Sequence, residues 1–154
     1  MDSRFLDQLQ RIDRLLTLVN SGEPDVLLGV LTYHDLLVTT FGEMWMFRQW
    51  LVHDPMLHAC STDVLRSDIY QEWCIVTCGD IAEGRVLLTP GMPPGVTSRP
   101  RSAFAASWRG IRYYVDMPNH ADPYHGALAQ ELLAETRSAW QKIVDKHWLS
   151  DLPF

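Results

Sequence analysis

Two groups of residues have types and spacings suited to chemistry. Arg48 and His53 stand five apart in Phe47-Arg48-Gln49-Trp50-Leu51-Val52-His53-Asp54. A guanidinium holds a phosphate through its planar fork, and an imidazole moves protons near neutral pH. The plainer use of the pair is a surface cation and a histidine favoured by a helix C-terminus. The second group is His120, Asp122 and His125. Two imidazoles and a carboxylate suit zinc or iron, and His34 is a further candidate ligand. Asp122 also fits a helix cap ahead of Pro123, and an oxygen spent on backbone N–H groups is not a free ligand.

The stretch from Phe47 to Asp54 resembles the R-x4-H signature of HEPN ribonucleases, small all-α proteins that dimerise and cleave RNA without a metal. The resemblance implies that Arg48 binds the scissile phosphate and that His53 takes part in proton transfer around the 2′-hydroxyl. It covers about eight residues. Gln49 stands where that family commonly has Asn, and Pro55 where an aromatic follows the His. His34, together with Asn119-His120-Ala121-Asp122-Pro123-Tyr124-His125-Gly126, resembles the three-His DinB-like bundles. Here the two later histidines are five apart rather than four.

Three further features bear on binding. From Arg85 to Val115 the chain carries five Arg and no Asp or Glu. Arg99, Arg101, Arg109 and Arg112 in this stretch, interleaved with Trp108, Tyr113 and Tyr114, suit an anion, an acidic partner or stacked bases; a solvated loop explains them as well. The run Met44-Trp45-Met46-Phe47 cannot face one way on a helix, because consecutive side chains fan around the axis. Met44, Trp45 and Phe47 are therefore candidate interface residues, or else part of an aromatic core. Cys60, Cys74 and Cys78 cannot all pair, and Cys74 to Cys78 is not the spacing of a structural zinc site, so reduced buried thiols are expected.

These residues need a scaffold, and the composition supports one. With 154 residues, 47% hydrophobic and 21% charged, the chain is long enough for a single domain with its own core. The net charge of −6 argues against a general nucleic-acid binder. Val26 to Phe41 is too short to span a bilayer, and the charged, amphipathic start is unlike a signal peptide, so a cytoplasmic protein is expected, without membrane contact or cofactor.

Periodicity places most of the elements. Phe5, Leu9, Ile12, Leu16 and Val19 form one helical stripe, also compatible with a short coiled-coil seam, that Asn20-Ser21-Gly22 ends. Glu23-Pro24-Asp25 opens a second, central helix over the apolar 26–41 segment, with a strand at Leu36–Phe41 as its competitor. Gly42 marks a kink or break, and helix resumes until Asp54-Pro55. Ser61-Thr62-Asp63 caps a helix over 62–77, while 85–89 stays open. The alternative is a hairpin of Cys74–Cys78 with Arg85–Thr89. Residues 90–102 form a long Pro/Gly/Arg loop. Ser102–Trp108 suits a short helix and Gly110–Met117 a strand. Asp122-Pro123 starts the last helix.

The expected fold is thus mainly α: a single-domain helical bundle over 1–154 with a small β element around 73–117. The leading functional expectation is a non-enzymatic interaction or regulatory protein that binds a protein partner or itself. A HEPN-like ribonuclease using Arg48 and His53, with RNA as partner, is one alternative. A metal-binding bundle using His120 and His125 is the other.

Overall fold

The computed structural model describes residues 4–21, 33–54, 62–96 and 112–147. Five helices and one small sheet follow in order: α1 (Arg4–Ser21), α2 (Tyr33–Val52), α3 (Thr62–Gln71), α4 (Trp73–Ala82), β1 (Leu87–Thr89), β2 (Tyr114–Asp116) and α5 (Ala129–His147). The fold is mainly α, with a two-stranded antiparallel sheet inside the expected interval. Among the described residues, no helix is long and apolar enough to cross a membrane.

α2 is the centre of the bundle. It packs against all four other helices, so apolar residues occur around much of its circumference. Leu37, Phe41, Met44, Phe47 and Leu51 are fully buried. The α1 stripe lies against it: Phe5, Leu9, Ile12 and Val19 are buried and Leu16 is partly so. That stripe is spent on packing within the chain.

Polar contacts set the register of this pair. Gln8 Nε2 donates to the Glu43 carboxylate, and Arg11 reaches the same group at 3.4 Å. The Phe5 N–H donates to the buried Asp54 carboxylate across 3.5 Å, placing negative charge at the exposed donors of the first α1 turn. Behind α1, Tyr33 Oη donates to the Val19 carbonyl and accepts from Gln130 Nε2. Burial pushes the Tyr33 hydroxyl up to about 12, against the lowering effect of the Gln130 hydrogen bond.

α5 closes the other side. The Trp140 ring meets Phe47 edge-on at 5.0 Å, and its Nε1 donates to the Met44 carbonyl. At its C-terminal end, Lys146 and His147 both reach Asp68 of α3, at 2.8 and 2.7 Å. Burial alone would raise the Asp68 carboxyl, but the hydrogen bonds from Lys146 and His147 outweigh it and hold the group below its usual range.

Several local expectations give way. Gly42 does not end α2, because buried residues on both sides of it belong to one continuous helix. The Leu36–Phe41 segment is helical, not a strand. The expected helix over 62–77 is two helices, broken where Glu72 takes an extended conformation (φ −88°, ψ 99°), and the second continues to Ala82. Cys74–Cys78 is therefore helical, and β1 pairs instead with β2 in the register Leu87↔Asp116, Leu88↔Val115, Thr89↔Tyr114.

The last helix begins six residues later than Pro123 suggests. Main-chain bonds hold the intervening segment on the free edge of β2: Val115 N–H to Ala127 O, Gly126 N–H to Val115 O and Ala129 N–H to Tyr113 O. Gly126 sits in the left-handed region (φ +81°), and a Cβ there would lie 2.4 Å from Val96. Extended pairing and this turn are incompatible with helix before residue 129. The helix start at 23–25 and the short helix at 102–108 lie outside the described residues.

Candidate binding site

The turn-rich segment between β2 and α5 carries chemistry on two sides. One side holds the histidines. Asp116, His120 and His125 each offer a ligand atom, all within 4.8 Å of one another. Asp116 is contributed by the end of β2, and the two histidines by successive turns at 118–126. The carboxylate is not Asp122, whose Oδ1 accepts the Tyr124 N–H at 2.9 Å and so stabilises the turn.

His125 is the anchor of this cluster. Its side chain is buried; Nε2 lies 2.7 Å from the Pro94 carbonyl and Nδ1 lies 3.0 Å from the Met117 N–H. A carbonyl only accepts and a peptide N–H only donates. These partners fit the tautomer with its proton on Nε2 and its lone pair on Nδ1. Asp116 Oδ1 lies 3.9 Å from that nitrogen. His120 is exposed and stacks on His125, with ring centroids 4.3 Å apart and planes at 12°. Gly95, at φ +83°, brings the backbone under this stack, and a Cβ there would lie 2.5 Å from His120 Nδ1. His34 takes no part in the cluster. It packs on Tyr113 at 5.4 Å, near the start of α2.

The other side of the segment is the wall of an open cleft of about 300 Å³. Met117, Asp122 and Tyr124 face Tyr70 of α3 and Trp73, Val76, Thr77 and Asp80 of α4. Trp73 directly follows the break at Glu72 and is 64% exposed, and Tyr70, at 57%, lines the cleft with it. A tryptophan this open, lining a cleft, is a large exposed apolar surface among the described residues. Asp80 already holds Arg85, with Nε at 3.0 Å and Nη2 at 2.8 Å. Tyr124 Oη donates to Glu135 and fixes its ring.

No protein-family model, curated protein or solved structure matches the chain. Function is thus read from the site itself.

The remaining candidates are placed as follows. Arg48 folds back over Trp45, 4.0 Å from the ring centroid, and donates to the Trp45 carbonyl at 3.1 Å. His53 lies in the exposed turn that ends α2. Arg48 itself is engaged with Trp45 of its own helix. Met44, Trp45 and Phe47 are buried against α4 and α5 rather than offered to a partner. Met46 and Trp50 are the exposed large hydrophobic residues of that helix. Arg112 is half-buried next to Tyr113, whereas Arg99, Arg101 and Arg109 lie outside the described residues. Cys74 and Cys78 are free and buried, and burial pushes both thiols up, so neither carries thiolate reactivity.

The cleft was missed because its walls come from residues 70–80 and 117–124, which no local pattern joins. The local pattern points the other way: Leu65, Ile69, Trp73 and Val76, spaced four, four and three apart, read as one apolar helical face, whereas Trp73 is exposed.

Proposed function

We propose that this chain is a protein-interaction module that takes a basic segment of a partner polypeptide into the cleft between α3, α4 and the 117–124 turn. The observation that carries the reading is the exposure of Trp73 at the cleft mouth, beside Tyr70. Tryptophan and tyrosine are the side chains most often found at the energetic centres of interfaces. A Lys or Arg side chain fits such a surface twice over: its stem covers the rings, and its charge is attracted to their faces. Asp80 and Asp122 line the same cleft and supply its negative charge, with Asp80 Oδ1 bonded to Arg85. The net charge of −6 favours the encounter with a cationic partner.

The test is fluorescence anisotropy with a short labelled peptide of alternating Lys and Gly, and a Glu and Gly peptide as its counterpart. The Lys peptide binds, the Glu peptide does not, and added salt weakens binding by screening. Trp73→Ala lowers the affinity by about 10- to 30-fold, the effect of removing a residue worth about 2 kcal/mol at an interface. Trp73 is mostly solvent-exposed, so this variant retains the fold. Equal binding of the two peptides, or an affinity unchanged in Trp73→Ala, overturns the reading.

A further inference from the structure

We infer that Asp116, His120 and His125 form a binding site for one divalent transition-metal ion of the zinc class, independent of the peptide cleft. The donor set is two imidazole nitrogens and a carboxylate oxygen, a combination that suits zinc, cobalt and their neighbours rather than calcium or magnesium. Three protein ligands leave a fourth position of a tetrahedral ion for water.

The strongest support is the state of His125. A metal-ligating histidine usually donates its second ring N–H to a carbonyl or carboxylate, which fixes the tautomer and aims the lone pair. His125 has that arrangement on one side: Nε2–H is given to Pro94 O at 2.7 Å, while Nδ1, which accepts the Met117 N–H at 3.0 Å, lies 3.9 Å from Asp116 Oδ1. Burial holds the ring in this orientation. Asp116 is held by β2, whose main chain is paired on both edges. The His125 ring and the Asp116 main chain are thus held in place before any ion arrives, with the Met117 N–H on Nδ1.

His120 supplies the adjustable part. Its ring is parallel to that of His125, so the in-plane lone pairs of the two rings run side by side and do not meet at one point. A ligand nitrogen must point at the ion from 2.0–2.1 Å. Because His120 is exposed, its ring turns out of the stack to direct a nitrogen at the ion. At Nδ1 of His125 the ion takes the place of the Met117 N–H. Both changes are confined to the 117–120 turn.

The test uses metal-free full-length protein titrated with Zn²⁺ by calorimetry and with Co²⁺ by visible absorption. One ion binds per chain, and Co²⁺ gives the intense d–d bands of a four-coordinate centre. His120→Ala and Asp116→Asn each weaken binding by about 10- to 100-fold or more. His34→Ala, outside the cluster, leaves it unchanged. The two ligand variants alter exposed or half-buried groups, and unaltered far-UV circular dichroism confirms that they fold. No stoichiometric uptake, or uptake indifferent to His120→Ala, overturns the inference. Neither readout involves the cationic peptide, so the two proposals stand or fall separately.

Discussion

Trp140→Ala lowers the free energy of unfolding by about 3–5 kcal/mol, the range for removing a large aromatic from a core. The ring is fully buried between α5 and α2 and makes an edge-to-face contact with Phe47 at 5.0 Å. Phe47 in turn meets Phe5 of α1 at 6.3 Å, so one side chain supports the aromatic contact that joins three helices. Removal leaves a cavity at the junction, and helices on three sides cannot all collapse into it. The hydrogen bond from Nε1 to Met44 O is the smaller part of the loss, about 0.5–1.5 kcal/mol. Trp140→Phe, which keeps most of the ring, isolates that part and loses less. Urea unfolding with an unchanged m-value is the measurement. A loss below about 1 kcal/mol for the alanine variant would show that the junction is not packed as described.

The second large effect is a matter of sign. Glycine inside a helix is less favourable than alanine by about 0.5–1 kcal/mol, so Gly→Ala ordinarily stabilises. Gly42 in α2 has nothing within 4 Å of a Cβ among the described residues, and Gly42→Ala gains about that amount. Gly79 in α4 is the opposite case. A Cβ there would lie 2.7–2.9 Å from three atoms of the Trp45 indole, far inside contact distance. Trp45 has little freedom to retreat, since its Nε1 is bonded to Glu83, Tyr70 meets its edge and Arg48 covers it. Overpacking a rigid neighbour costs about 1–3 kcal/mol, which exceeds the helix gain. Gly79→Ala therefore shifts the thermal midpoint down while Gly42→Ala shifts it up. Equal upward shifts would mean that α2 and α4 do not approach through Gly79.

How much of this was legible follows from how local each signal is. The α1 stripe needs only its own eighteen residues, and Phe5, Leu9, Ile12 and Val19 were read as they lie. The apolar core of α2 was equally clear. Gly42 misled because propensity is a weak bias that packing on both flanks overrides. Asp122-Pro123 has the composition of a helix start, yet the pairing of residues 126–129 with β2 is a long-range fact that no capping pattern contains. The metal candidate illustrates the same limit: both histidines were visible, but the carboxylate beside them comes from β2, and Asp122 is occupied by its own turn. Arg48 and His53 form a pair on spacing alone, and nothing in that spacing contains the Trp45 contact that holds Arg48.

The His125 ring has one more consequence, for solvent deuterium. Because its Nδ1 covers the Met117 N–H, that amide is shielded by a side chain, whereas Val115 and Ala129 nearby are shielded by main-chain carbonyls. Isotope uptake at Met117 thus follows the orientation of one imidazole. A single backbone proton reports from the seam between the cleft wall and the histidine cluster, without any label placed in either.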